Sequence, residues 1–395
     1  MTLYSWLFYA LFMVAIPVLS IYYFCAQPQS SEEKVLKRVY IVFLAIAAIG
    51  LICGALVGRQ RGYVYLRKDL IDSVYLVLAP SAALATGITL QNKVFSKLFN
   101  YFLLAAVSFI FISFLFLDRS GIAGSFLRGD STATRYAQLY LGFYGLALAA
   151  EGRNYRTGYV FVLVSFVQAL LAFSKWTLPY CIIIIACLYI IYLKKYRLIR
   201  QHVIFSLVGG MLTLLTIWVA FQSPLPDILA QKRGYRNFKH YWRGRVVLEY
   251  NPSTIPYTDK EIVLRDSGRF DMWQDIVDRT LESPLTGIGI GARPYSQYNV
   301  GAHNVFITLL GSFGFPLFVS FILSGTVLLK TIYNLIGHSY RLKVVFWGWF
   351  AYVLIAYSVG TSYAQVFNLY FAFLPLAVFI QSGRQNQLAG SCNYK

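Results

Sequence analysis

Apolar residues along this chain come in long blocks separated by short polar stretches. A helix crosses a bilayer with about 20 predominantly apolar residues. By that measure the blocks predict spans at 3–25, 39–57, 70–90, 98–117, 136–150, 157–173, 177–193, 203–221, 303–329, 344–359 and 363–381. The fifth block is short, and the third carries Asp72 and Pro80. The expectation is an all-α polytopic membrane bundle of about 11 (10–12) helices. One polar stretch, 222–302, breaks the rhythm and holds six of the twelve prolines. It divides the chain into N-terminal helices (1–221), a large loop (222–302), and C-terminal helices with a short tail (303–395). The first block has no basic residue before it and no small-residue cleavage site, so it reads as a retained helix and not a signal peptide.

Composition agrees with the pattern. The chain is 58% hydrophobic, 17% aromatic and 13% charged, about half the charge of a soluble domain. Net charge is +19, and nine of the sixteen acids fall between Asp227 and Glu282. On a soluble protein such a balance would point to nucleic acid. In a membrane chain, topology and an anionic substrate explain it, and nucleic acid is set aside as a partner. With the large loop outside, the short inward loops and tail carry 16 Lys and Arg and the short outward loops 8. Cytoplasmic loops hold the excess of cations, so the large loop is expected on the periplasmic side, with the C-terminus inside. The five cysteines form no C-x-x-C pair, which suggests neither a zinc site nor a disulfide framework.

The outward cations form two groups: Arg59, Arg61, Arg67 and Lys68, then Arg119, Arg128 and Arg135. They either snorkel to lipid headgroups or line a basic vestibule that attracts a polyanion. Inside the loop, "QKRGYRNFKHYWRGR" (231–245) has six Lys and Arg, four aromatics and no acid. It suits a saccharide or phosphorylated lipid, or lies on anionic headgroups. Downstream, Phe270, Trp273, Ile276, Val277 and Leu281 recur at helical spacing, with Pro284 ending the run. This predicts an amphipathic helix on the membrane surface or on the bundle. Its acids are the solvated face. Arg269 stands in the first turn, where the helix dipole disfavours a cation but the free amides invite an anion.

"GIGIGA" has the wrong spacing for a dinucleotide fingerprint. Gly287 and Gly289 read as positions of close backbone approach, and Gly311 and Gly314 as a helix packing face. His202, His240 and His338 lie in polar segments, but His303 opens an apolar block at its outward end. It is either an interfacial histidine satisfied by its neighbours or a functional one, as ionisable groups at membrane depth usually are. With an ordinary pKa of about 6.5, a neutral imidazole can take a hydroxyl proton. In "AFSKWTLPY", Lys175 marks a short loop or contacts phosphate as a point charge.

Together, R-x-x-x-W from Arg269 to Trp273, "SPLTGIGIG" and "AHNVFITLLGSFG" (His303 and Asn304 included) resemble the bacterial O-antigen ligase and polymerase superfamily. The similarity is concentrated in about 265–320 and elsewhere extends only to hydropathy and loop placement. It implies a periplasmic active site in the inner membrane. It also implies a saccharide donor on undecaprenyl diphosphate, and no metal, cofactor or nucleotide sugar. On the family's pattern, His303 would activate the acceptor hydroxyl and Arg269 would hold the diphosphate. A family Ser-Arg pair corresponds here to Ser174-Lys175. Lysine lacks arginine's bidentate fork, so either Lys175 serves as a simpler cation or Arg128 or Arg135 takes the role.

The resemblance implies two acceptors: the lipid A core for a ligase, or a lipid-linked glycan for a polymerase of O-antigen, capsule or exopolysaccharide repeats. The basic run at 231–245 leans toward a phosphorylated core. A non-catalytic transporter or flippase is the rival from another class. Such proteins often carry internal repeats and midplane charges, and neither is visible here. A structural membrane subunit gives no account of His303 with Arg269.

Overall fold

The computed structural model describes residues 3–28, 30–116, 131–152, 154–171, 177–193, 269–292, 304–337, 339–359 and 366–392, with isolated positions at 211, 222 and 227. The described secondary structure is helical throughout, with no strand among these residues. In chain order the helices are α1 (Leu3–Cys25), α2 (Ser31–Gln60), α3 (Leu66–Thr89), α4 (Lys93–Phe116), α5 (Ser131–Glu151), α6 (Tyr155–Leu171), α7 (Thr177–Leu193), α8 (Arg269–Glu282), α9 (Val305–Leu335), α10 (Tyr340–Val359), α11 (Val366–Phe373) and α12 (Pro375–Cys392). Three of the described helices, α2, α3 and α9, are long and apolar enough to cross a membrane. The expected span at 203–221 lies outside the described residues.

Helix ends differ from the hydropathy blocks where capping and proline chemistry intervene. α2 begins at Ser31, well before the block at 39, because Ser30 caps it: its hydroxyl accepts from Glu33 N at 3.1 Å. Glu32 and Glu33 in that first turn complement the helix dipole. The last block, expected as one span at 363–381, is two helices. Pro375 has no N–H to continue the ladder. Leu374 N turns to Phe371 O at 3.2 Å, and the Ala372 carbonyl accepts from the Trp349 indole at 2.6 Å.

α3 runs through the middle of the bundle, packed by α1, α2, α11 and α12. Its wall is mostly small: Ala79, Ala82, Ala83, Ala85 and Gly87 are buried. Pro80 interrupts its ladder, and the gap is filled from a neighbour. The Tyr40 hydroxyl donates to Val77 O at 2.6 Å and accepts from Ser81 N at 3.1 Å, so it stands between two groups that would otherwise bond each other. Thr86 and Tyr370 hydroxyls meet at 2.7 Å, and Tyr144 donates to Asn100 at 2.7 Å. Such bonds join helices where apolar burial discriminates poorly. A second group, α5, α6, α7 and α10, completes the bundle, and α8 lies on α9.

One end of this assembly is closed by charge. Glu33 and Arg384 are both buried and form a two-point ion pair, with Arg384 Nη2 donating to Glu33 Oε2 at 2.8 Å. Lys37 donates to the Phe24 carbonyl at 3.3 Å and to Ala26 O, at the end of α1. Gln381 donates to Leu90 O at 3.1 Å. Arg384, counted by sequence among the cations of the inward loops and tail, is thus a buried structural residue.

Candidate functional site

At the other end of α2, the chain does something a hydropathy plot does not anticipate. Gly287–Gly291, near the close of the polar stretch, does not stay on the surface. Gly287, Ile288, Gly289, Ile290 and Gly291 are all buried, in a slot between α2 and α9. α2 opens that slot with glycine at every fourth position: Gly50, Gly54 and Gly58. A Cβ on Gly54 would stand 2.5 Å from Ser312 O, and one on Gly58 would strike the Ile290 carbonyl.

α9 meets the segment by breaking. Gly314 has φ 72 and ψ 171 within a helix that resumes at once. Pro316 removes one ladder donor, and Phe315 N is redirected to Pro284 O at 2.9 Å. Gly287, at φ 69, lies so close to α9 that a Cβ would be 2.7 Å from Gly314 N. An L side chain is disfavoured at both positions by φ as well as by space.

The segment's amides are committed. Gly287 N bonds Ser283 O at 2.8 Å, Ile288 N and Gly289 N bond Gly311 O at 2.7 and 3.3 Å, and Ile290 N bonds Gly54 O at 2.8 Å. Irregular backbone buried in a bundle needs partners inside the protein, and the N–H groups from Gly287 to Ile290 find them in α2, α9 and Ser283.

The connector follows the end of α8 and is bonded to Gly311 of α9. α8 buries Ile276 and Thr280 on the α9 side, with Trp273 partly covered, while Gln274, Asp278 and Glu282 stay exposed. Ile276 and Ile288 form a small apolar cluster with Trp273, Ala292 and Ile307. A Cβ on Gly311 would lie 2.9 Å from Ile276. Counting back two turns from that contact reaches Arg269 on α8 and Asn304 on α9, each about 10 Å of helix away. Asn304 is the N-cap of α9: its side chain accepts from Ile307 N at 3.1 Å, and its carbonyl accepts from Thr308 Oγ1 at 2.8 Å. His303, one peptide bond before that cap, lies outside the described residues, as does the Arg269 side chain.

The other sequence candidates fall as follows. Arg128, Lys175 and the basic run 231–245 lie outside the described residues. Arg135 is on the first turns of α5, and its side chain is not among those described. Sequence reasoning passed over the Gly50–Gly54–Gly58 repeat and the Gly314-Phe315-Pro316 break, though small-x-x-x-small and Gly-x-Pro were both visible signals. It grouped Arg61 with other outward cations without foreseeing its neighbour. The Arg61 guanidinium reaches 3.5 Å from Ser283 Oγ, at the mouth of the connector.

Among the described residues no three His, Cys, Asp or Glu side chains lie together in a way that could hold a metal ion. Compared with known proteins, the chain matches no family model and no curated sequence.

Proposed function

We propose that this chain is a multi-pass glycan transferase of a bacterial inner membrane. It moves a saccharide from undecaprenyl diphosphate to a hydroxyl of the lipid A core, at the periplasmic face. The observation that carries this reading is the junction just described. Arg269 begins α8, His303 precedes the cap of α9, and the buried Gly287–Gly291 connector ties both helices to α2 beside a basic turn. A multi-pass chain of about 11 spans also accounts for the exposed apolar faces beyond α2, α3 and α9. These include Val14 and Ile21 on α1, Leu98 on α4 and Ile185 on α7, side chains that suit lipid contact.

In this reading His303 takes the proton from the acceptor hydroxyl as its oxygen attacks the anomeric carbon. The bond from that carbon to the diphosphate oxygen breaks. The lipid diphosphate leaves with the electron pair, its growing charge met by Arg269 and neighbouring cations. One displacement inverts the anomeric configuration. General-base assistance contributes roughly 10²–10⁴-fold.

The test is a surface-polysaccharide gel from a deletion strain complemented with wild type, His303→Ala or Arg269→Ala at matched abundance. The expected result for both variants is loss of long chains from the lipid A core and their accumulation on undecaprenyl diphosphate. Core bearing a single repeat unit would reassign the protein to repeat-unit polymerisation. Unchanged glycan with His303→Ala would remove the catalytic assignment.

A further inference from the structure

The turn joining α2 to α3 carries Arg59, Arg61, Arg67 and Lys68, all exposed, and none is paired with an acid in the ion pairs seen among the described residues. Asp69, the one acid of this stretch, is buried. The turn is tightly made. Gly62 has φ 66, Gly62 N bonds Arg59 O at 3.0 Å, and Tyr63 N bonds Gly58 O at 3.1 Å. It is also seated on the connector. A Cβ on Gly291 would lie 2.6 Å from Leu66 N, and Arg61 reaches Ser283. Four cations are thereby fixed at the mouth of the junction that links α8 to α9. Tyr63 and Tyr65 stand between them, partly exposed.

Two physical facts decide what such a turn can hold. The Gly287–Ile290 amides of the connector are occupied, so the free anion-binding groups beside them are the exposed cations of the turn. Cations left without an acid beside them set up a positive potential that concentrates phosphate-bearing ligands. Building on the transferase reading above, we propose that the α2–α3 turn is a phosphate-binding site for the lipid-linked saccharide substrate. Arg61 and Arg67 grip phosphate oxygens, Arg59 and Lys68 add charge, and the tyrosine faces support the adjoining sugar. The same phosphate chemistry occurs on ordinary anionic headgroups, and the test separates the two sources.

Full-length protein in phosphatidylcholine nanodiscs is titrated with undecaprenyl diphosphate, and binding is read by native mass spectrometry. Wild type is compared with Arg61→Glu/Arg67→Glu and with Arg61→Lys/Arg67→Lys; phosphatidylglycerol serves as competitor. Charge reversal is expected to weaken binding at least about tenfold, about 1.4 kcal/mol. The lysine pair keeps most of the affinity, and phosphatidylglycerol at equal mole fraction does not displace the probe. Unchanged affinity in the charge-reversed protein overturns the site. Equal displacement by phosphatidylglycerol also overturns it, and assigns the turn to headgroup contact. Failure of wild type to bind the probe at all would instead sink the transferase reading on which the site rests. Matching melting temperatures exclude misfolding as the cause of a loss.

Discussion

The two ends of α2, about 45 Å apart along a 30-residue helix, handle charge in opposite ways. At the first, Glu33 and Arg384 neutralise each other out of contact with solvent, and Lys37 is spent on the carbonyls that close α1. At the second, Arg59, Arg61, Arg67 and Lys68 face outward around a junction made of glycine and backbone. Ionised groups at the first end hold helices together. At the second end, small residues and main-chain bonds do that work, and apart from the Arg61–Ser283 contact the cations take no part in it. A fold that closes with neutral backbone beside a set of free cations keeps those cations available for a ligand.

The largest effect should come from breaking the closed end. Glu33→Ala or Arg384→Ala leaves a buried charge alone and should cost about 3–5 kcal/mol. The readout is a sharp fall in melting temperature and in monodisperse protein on detergent gel filtration. Replacing both at once with Leu and Met should recover most of that loss, because an apolar pair of similar volume is tolerated where a single charge is not.

Next comes the glycine junction. Gly287→Ala and Gly314→Ala each force a side chain into a positive-φ position against backbone, at about 1–3 kcal/mol. On the proposed transferase reading, glycan transfer should fall further than the thermal melt alone implies, since the packing of α8 on α9 shifts. Equal losses in melt and transfer would mean that the junction only stabilises the fold. Asn304→Ala removes the α9 cap at about 1 kcal/mol, and Asn304→Asp should restore the melt. The smallest stability effect belongs to the basic turn. Arg61→Ala should move the melt by no more than about 0.5 kcal/mol, and a larger shift would contradict the contrast between the two ends.

The sequence already carried much of this. Blocks of apolar residues mark the positions of α1, α3, α4, α6, α7 and α10 to within a few residues, because burying about twenty apolar side chains on a helix is a local property. The amphipathic α8 was legible from Trp273 and Ile276 at helical spacing, and Pro284 marks its end. What could not be read locally was where backbone and charge find partners. Pro375 split a span whose composition looked continuous. Gly314 and Pro316 opened α9 only because Pro284 O was there to receive Phe315 N. Arg384 looked like a tail cation until Glu33, from the other end of the chain, came to meet it.

The chain by itself determined which stretches are helical and apolar and where its cations cluster. Only the tertiary structure decided that Gly287–Gly291 is buried against Gly54, Gly58 and Gly311, that the Gly287–Ile290 amides are already satisfied, and that the Arg61 turn sits at its mouth. The reason is physical. Helix formation and apolar burial are written in spacings of three and four residues, whereas a hydrogen bond from Ile290 to Gly54 depends on how two distant segments pack.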